Sequence, residues 1–248
     1  MTLQFTRIDF RYNRQTSVFT GLSLTLDHPA TVLLGPNGAG KSTLMALAAT
    51  DVQPKRGQVR WRDNRPSNRR ARAAYVRAVA WLPQDVVAIP GPTVREQVAY
   101  AGWLKGMSRA SAWKASTDAL SRVDLTDLAG RPSNKLSGGQ RRRMGLAGAL
   151  THRSEIVLMD EPTAGLDPTQ RKVFRRLLEN LHNDVQVVVS THQTEDLADS
   201  YSQVVVLDQG TVRFQGTTAE FHDLAGDHVA GPRERAEAAY ARLVHGEA

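Results

Sequence analysis

A glycine-rich stretch carries the strongest chemical signal in the sequence. It fits the pattern G-x-x-x-x-G-K-[ST] and reads Gly35-Pro36-Asn37-Gly38-Ala39-Gly40-Lys41-Ser42. Glycines lack a Cβ atom, so this phosphate loop can wrap around a phosphate chain and direct several backbone N–H groups at it. Lys41 would add a full positive charge, and the hydroxyl of Ser42 would bind Mg²⁺. The alternative, a plain glycine-rich turn, is disfavoured because an apolar segment precedes the loop and a helical pattern follows it.

A pair of carboxylates forms a second chemical signal. Asp160 and Glu161 end the apolar segment Ile156–Met159. Side chains alternate faces along a strand, so the two acids are expected to differ in role. We expect Asp160 to hold Mg²⁺ through its water shell and Glu161 to orient or deprotonate an attacking water. Such a pair alone would favour a simple surface turn, but the phosphate loop upstream favours chemistry.

The third signal is a helix start far along the chain from Lys41. It is the signature segment, Leu136-Ser137-Gly138-Gly139-Gln140. Ser137 and Gln140 form the pattern of a capping box before a helix. The two glycines between them allow a ligand to approach, and a helix N-terminus attracts anions. The segment is therefore a second anion-site hypothesis, with a plain helix cap as the alternative.

These motifs resemble those of the nucleotide-binding subunits of ABC transporters, over roughly residues 1–220. The phosphate loop is similar to the Walker A motif, the acid pair to the Walker B motif, and the signature segment to the ABC signature. The residue matching the adenine-stacking aromatic is Tyr12, and Gln84 matches the Q-loop glutamine, which senses Mg²⁺ and the membrane partner. Asp167, in the segment AGLD, resembles the D-loop aspartate, and His192 matches the switch histidine.

The resemblance implies ATP and Mg²⁺ as ligands. The residues implied in ATP binding are Tyr12, the phosphate loop with Thr43, Ser137, Gly138, Gly139, Gln140 and Asp167. Those implied in Mg²⁺ binding are Ser42, Gln84 and Asp160. Those implied in catalysis are Lys41, Gln84, Glu161 and His192. The resemblance also implies a head-to-tail dimer with a second ATP-binding subunit, identical or different, whose signature segment closes over the nucleotide.

Single residues have simpler interpretations. Tyr12 alone would be a strand aromatic covering the core, Gln84 a loop residue, and His192 a residue at a strand end. Asp167 before Pro168 is a favourable N-cap and first-turn pair, which is compatible with a functional role.

The surrounding elements predict an α/β fold. Buried strands are expected at Thr31–Leu34, Ala78–Leu82, Ile156–Met159 and Val185–Ser190, with intervening helices, which predicts a mostly parallel sheet of the P-loop NTPase type. Alternation in Leu3–Phe10 and Leu22–Leu26 predicts an antiparallel β subdomain. A hairpin is expected at 204–214 and a helix at Pro232–Val244.

The strand pattern disappears from about Pro92 to Leu150, where a capping box at Thr93 opens a helical region. We therefore predict one ABC ATPase domain over residues 1–225, with a helical subdomain inserted at about 86–150, and a helical tail at 226–248. Trp103 and Trp113 are expected in the core of the helical subdomain.

Composition narrows the class of protein. The 248 residues are 41% hydrophobic and include no cysteine. We identify neither a signal peptide nor an apolar run near the roughly 20 residues that a spanning helix needs. The net charge of +7 is concentrated in an arginine-rich stretch at 55–77. This stretch fits a solvated face, attraction to anionic lipids or, least of all, nucleic-acid binding, because no aromatic ladder accompanies it.

The leading functional hypothesis is an ATPase at the cytoplasmic face of the membrane that drives a separate transmembrane permease. A soluble ABC protein acting on ribosomes or nucleic acid is the alternative, disfavoured because such relatives usually carry two cassettes or a long insertion; no nucleic-acid partner is expected. A regulatory cassette without turnover is disfavoured because Glu161 and His192 are intact. Thr93–Gly106 and the context of His192 are similar to exporter-type cassettes, so export is the expected direction.

Overall fold

Hydrophobic strands build two sheets in the computed structural model, which describes residues 2–13, 15–181, 184–194, 201–226 and 229–246. The predicted domain and tail thus include a few residues outside the described ones. The strands within the described residues are β1 (Leu3–Arg11), β2 (Ser17–Leu26), β3 (Ala30–Leu34), β4 (Arg56–Trp61), β5 (Val79–Leu82), β6 (Ile156–Asp160), β7 (Gln186–Thr191), β8 (Gln203–Asp208) and β9 (Thr211–Thr217).

The larger sheet has the order β5-β6-β7-β3-β8-β9. All its pairs are parallel except β8 with β9, which form the predicted hairpin. Its central strands are buried on both faces. Val32 and Leu34 of β3 pack into one hydrophobic cluster, whereas Leu33 packs into the other. This parallel arrangement confirms the predicted fold class, and it brings the carboxyl ends of β3, β6 and β7 to one edge of the sheet.

The smaller sheet is antiparallel, with the order β2-β1-β4. Its strands alternate buried and exposed residues, as the sequence predicts for the N-terminal part. Strand β4 lies inside the arginine-rich stretch and was not expected. Val59 and Trp61 face the core, while Arg60 between them is exposed. Only these two residues of β4 are buried, so its apolar pattern is too short to indicate a strand in the sequence.

The helices within the described residues are α1 (Lys41–Ala48), α2 (Arg69–Ala78), α3 (Val94–Leu104), α4 (Arg109–Ser121), α5 (Gly138–Thr151), α6 (Pro168–Leu181), α7 (Thr218–Asp223) and α8 (Pro232–His245). Helix α3 begins at the predicted capping box, since Thr93 and Glu96 exchange hydrogen bonds. Ala78 ends α2 and does not belong to β5. No helix in the described part of the chain combines the length and apolar character needed to cross a membrane.

Helices α3, α4 and α5 pack against one another and form the helical region. The core placement predicted for Trp103 and Trp113 is wrong, because these side chains are 44% and 45% exposed. Small residues fill the interface instead. A Cβ atom on Gly102 would lie 2.8 Å from the Thr151 side chain, so the helices are too close to admit an indole. Trp113 lies outside, beneath the guanidinium of Arg95 at 3.9 Å from its ring centre.

Candidate active site

The phosphate loop joins the buried end of β3 to the start of α1. Two of its glycines are required by contacts as well as by conformation. A side chain on Gly35 would overlap the carbonyl oxygen of Leu207. Gly40 has φ 107°, in the region that favours glycine, and a Cβ there would lie 2.9 Å from the ring of Phe19. The loop can therefore keep its curvature only with glycine at both positions.

Lys41 is buried and bent back onto its own loop. Its Nζ donates hydrogen bonds to the carbonyls of Gly35 at 2.7 Å and Pro36 at 3.1 Å. It also lies 3.7 Å from Oε1 of Glu161. Burial lowers the pKa of Lys41, while the negative charges of Glu161 and Asp160 oppose that effect. An incoming phosphate would offer this ammonium a stronger partner than the loop carbonyls.

The two acids at the end of β6 face different partners, as the alternation along a strand predicts. Oδ1 of Asp160 accepts a hydrogen bond of 2.5 Å from the hydroxyl of Ser190 at the end of β7. Glu161 points instead toward Lys41 and His192, and the Nδ1 atom of His192 lies 2.9 Å from each of its carboxylate oxygens. The backbone N–H of Glu161 is held by Ser190, through both its carbonyl and its hydroxyl at 3.1 Å.

Glu161 has a left-handed backbone, with φ 46°. This conformation is unfavourable for a residue with a side chain, by about 1–3 kcal/mol, and it persists only where the surroundings impose it. Such residues concentrate at functional sites. Six other non-glycine residues among those described also have a positive φ, and none of them lines the cleft, so at Glu161 the conformation adds to the argument only together with its contacts to Lys41, Ser190 and His192.

An open cleft of about 360 Å³ brings most of the predicted site residues together. This volume lies within the range of small-molecule sites. The residues lining the cleft are Tyr12, Thr16, Val18, Asn37, Gly38, Gly40, Lys41, Ser42, Thr43, Gln84, Glu161 and His192. Glycine-rich backbone, a buried cation and a carboxylate–histidine pair thus share one cavity.

Tyr12 lies at the mouth of this cleft, immediately after β1. Its ring is 62% exposed, so the interpretation as a residue covering the core is wrong. Its hydroxyl lies 3.1 Å from that of Thr43, and its ring meets Phe10 edge-on at 5.0 Å. These two contacts hold one face of an aromatic ring beside the phosphate loop, where a base could stack.

Comparison with known proteins agrees with this geometry. The family model for ABC transporters matches residues 19–164. The chain belongs to the ABC transporter family. This assignment confirms the prediction of an ABC ATPase cassette and of its fold.

Named relatives extend the comparison beyond the family match. The chain is 34% identical over 218 residues to the energy-coupling factor transporter ATP-binding protein EcfA of Methanocaldococcus jannaschii, covering 85% of this chain and 77% of that protein. It is 36% identical over 202 residues to the sulfate/thiosulfate import ATP-binding protein CysA of Thermosynechococcus vestitus, covering 81% of this chain and 58% of that longer protein.

A solved structure shares most of this fold. CbiO1 from Clostridium perfringens, described as part of the ABC transporter complex cbiONQ, superposes with a TM-score of 0.77 at 26% identity. The match covers 88% of this chain and 89% of that protein. The ABC fold therefore extends well beyond the region that the family model matches.

The signature segment of this ABC cassette opens α5, as predicted. The hydroxyl of Ser137 accepts a hydrogen bond from the backbone of Gln140, and the Gln140 side chain accepts one from the backbone of Ser137. Ser137 and Gly138 are exposed. Among the described residues that line the cleft, none belongs to this segment. The N-terminal ends of α1 and α5, which are the two predicted anion sites, therefore lie at separate places on one chain.

Asp167 is not among the described residues that line the cleft. Its carboxylate caps α6 by accepting a hydrogen bond of 2.9 Å from the backbone of Gln170. The side chain of Gln170 in turn packs against Gly139, where a Cβ atom would approach it to 2.5 Å. Helix α6, which Asp167 caps, therefore meets the signature segment through Gln170.

Sequence reasoning missed two polar residues at the site. The hydroxyl of Ser190 donates a hydrogen bond to Asp160 and accepts one from the backbone N–H of Glu161. In the sequence, the only indication of this role is a hydroxyl residue near the end of an apolar strand, two residues before His192. Arg142 donates hydrogen bonds to the carbonyls of Gln84 and of the segment after Glu161. It belongs to a run of three arginines in α5, which resembles an ordinary solvated surface in the sequence.

The oxygen donors present fit Mg²⁺, a hard cation that favours oxygen ligands and usually keeps several waters. Ser42 offers an exposed hydroxyl at the start of α1, and Asp160 offers a buried carboxylate. The amide of Gln84 belongs to the same cleft. Few protein ligands are needed, because phosphate oxygens complete the coordination of Mg²⁺ at nucleotide sites.

Proposed function

We propose that this chain is the ATP-binding and ATP-hydrolysing subunit of an ABC transporter that drives transport through a separate transmembrane permease. The observation that carries the proposal is the convergence of Lys41, Glu161 and His192 at the cleft beside the phosphate loop. An ABC protein that keeps the fold but does not hydrolyse ATP would not need a carboxylate held between a lysine and a histidine.

The chemical roles follow from position. The phosphate loop and Lys41 bind the β- and γ-phosphates, with Tyr12 stacking on the base. Glu161 orients and polarises the attacking water, and His192 keeps that carboxylate aligned and contacts the γ-phosphate. Ser42, Gln84 and Asp160 would hold Mg²⁺, which supplies positive charge to the transferring phosphoryl group.

We propose a head-to-tail dimer with a second ATP-binding subunit, identical or different. Ser137 and Gly138 are exposed at a capped helix start but lie outside the cleft of their own chain. The N–H groups at such a start favour an anion. In the dimer, the signature segment of each subunit meets the γ-phosphate bound to the other, so ATP joins the subunits and its hydrolysis releases them.

The permease would dock on a groove along β5, the strand that leads to the Q-loop residue Gln84. This groove of about 170 Å³ lies between β5, α3 and α5 and includes Trp81, Ala101 and Gly145 in its lining. Leu104 and Val87 are 62% and 75% exposed. Exposed apolar residues around a groove are typical of a protein interface. Docking there would hold the subunit at the cytoplasmic face of the membrane.

For the direction of transport we propose import. The relative CysA is named as an import protein, and neither CysA nor EcfA is named as an exporter, so they give no support to the export expected from Thr93–Gly106. The alternative of a soluble protein acting on ribosomes or nucleic acid is not favoured, since these relatives are transporter subunits by name.

A two-part experiment tests the proposal. Purified protein should release phosphate from Mg-ATP, and protein that binds no ATP would exclude the proposed site. Co-expressed with its permease in sealed vesicles, the chain should support ATP-driven uptake. A Leu104→Glu variant should bind ATP but should no longer associate with the permease. The control Glu237→Gln, on α8, should bind both ATP and the permease. Efflux in place of uptake would reverse the proposed direction.

A further inference from the structure

The side chain of Arg142, five residues after Ser137 on α5, joins two loops of the cleft. Its Nη2 donates a hydrogen bond of 2.9 Å to the carbonyl of Gln84. Its Nη1 lies within hydrogen-bond distance of three carbonyls on the other loop, those of Glu161 at 3.2 Å, Pro162 at 2.8 Å and Ala164 at 2.8 Å. One guanidinium therefore holds the backbone of both the Q-loop and the turn after β6.

The contacts of Arg142 surround the strained residue of the site. Glu161 keeps φ 46° only because neighbouring contacts impose it. Ser190 holds its N–H on one side, and Arg142 holds its carbonyl on the other. The guanidinium is planar and carries several donors in a fixed geometry, so it orients the carbonyls that it binds. Hence the direction of the Glu161 side chain depends on where Arg142 lies.

We propose that Arg142 is a positioning residue that couples the signature helix α5 to Glu161 and Gln84. The proposal rests on the proposed function, because it concerns the same ATP site. Ser137 caps the helix that carries Arg142, and the two residues are about 7.5 Å apart along its axis. A nucleotide that draws the signature segment toward the partner subunit would thus move the guanidinium and, through it, both loops.

The neighbouring arginine provides a matched comparison. Arg143 also lies on α5 and also donates to backbone carbonyls, those of Val123 at 3.1 Å and Asp124 at 3.0 Å. Both of its partners follow α4 within the helical region. Arg142 alone of this pair connects α5 with the loops that end β5 and β6. Loss of either arginine removes a half-buried guanidinium, but only loss of Arg142 should disturb the cleft.

The test compares the purified Arg142→Ala, Arg142→Lys and Arg143→Ala variants with Mg-ATP. Arg142→Ala should lower kcat about 10- to 100-fold while KM for ATP changes less than about twofold, because misplacing a catalytic group affects the chemical step. Arg142→Lys keeps the positive charge but loses the planar arrangement of several donors, so its kcat should lie between those of Arg142→Ala and the wild type. Arg143→Ala should leave kcat within about twofold.

Amide hydrogen exchange supplies a readout that needs no turnover. In Arg142→Ala and Arg142→Lys, exchange should rise in residues 83–87 and 161–166, whereas in Arg143→Ala it should rise in residues 122–126. Unchanged exchange in both loops of the Arg142 variants, or an equal loss of kcat in Arg143→Ala, would overturn the proposal. If the wild-type protein failed to hydrolyse ATP, the proposed function would fail, while the exchange pattern would still decide whether Arg142 holds the two loops.

Discussion

The Nδ1 atom of His192 lies 2.9 Å from both carboxylate oxygens of Glu161, opposite the ammonium of Lys41 at 3.7 Å. The carboxylate is therefore held between two basic groups. A γ-phosphate that takes Lys41 as its partner would leave Glu161 aligned by His192 alone. Binding of the substrate would in this way free the carboxylate to engage water.

The first prediction concerns the carboxylate itself. Glu161→Gln preserves the shape and the contact with His192 but removes the negative charge, so Mg-ATP binding should persist while kcat falls at least about 100-fold. Phosphate release and a fluorescent-ATP titration measure the two effects. Glu237→Gln, an exposed change on α8, is the control and should retain full activity. Rapid hydrolysis by Glu161→Gln would exclude the assignment of Glu161 as the base.

The second prediction concerns the buried ammonium. Lys41→Ala should weaken ATP binding about 10- to 100-fold, because a hydrogen bond to a charged group contributes about 1.5–3 kcal/mol. Fluorescent-ATP titration measures the affinity, with Lys172→Ala on the exposed side of α6 as the control. Equal affinity in the two variants would mean that Lys41 stays bound to its loop carbonyls when ATP is present.

Motifs that depend on neighbours in the chain could be predicted from the sequence. The phosphate loop, the acid pair and the capping boxes at Thr93 and Ser137 are each formed by a few consecutive residues, so their chemistry is readable without the fold. The parallel sheet was predictable for the same reason, since its buried strands are continuous apolar segments.

Features that depend on distant parts of the chain could not be predicted. Trp103 and Trp113 are exposed because Gly102 and other small residues set the distance between helices, and an indole gives no sign of which face will be covered. Arg142 and Ser190 acquire their roles from loops 20–60 residues away in sequence. In the sequence, an arginine that binds backbone carbonyls cannot be told from one that is solvated, because those carbonyls come from distant segments.

The third prediction concerns the signature segment. Ser137→Arg places a large cation at the helix start that would face the partner's γ-phosphate, so it should block ATP-driven dimers in the Glu161→Gln background. ATP binding by monomers should stay within about twofold, since Ser137 does not line the cleft of its own chain. Gel filtration with Mg-ATP measures dimer formation.

Ser108→Arg is a matched control for that variant. Ser108 also caps a helix, α4, through the backbone of Ser111, so its loss removes a comparable cap of about 1 kcal/mol. This variant should still dimerise. Dimers formed equally by both variants would contradict the sandwich of two subunits around ATP.

The fourth prediction concerns the pH dependence of stability and His152, which lines the groove between β5, α3 and α5. Burial lowers the pKa of His152 to about 4, and the positive charge of Lys105 contributes. The unfolded chain takes up a proton near pH 6.5, so stability is fully present above that pH and is lost as the pH falls toward 4. Between pH 7.5 and 5, the free energy of unfolding should fall by on the order of 2 kcal/mol more in the wild type than in His152→Gln. Urea denaturation at the two pH values measures this difference, and an identical pH dependence in the two proteins would show that His152 titrates normally in the fold.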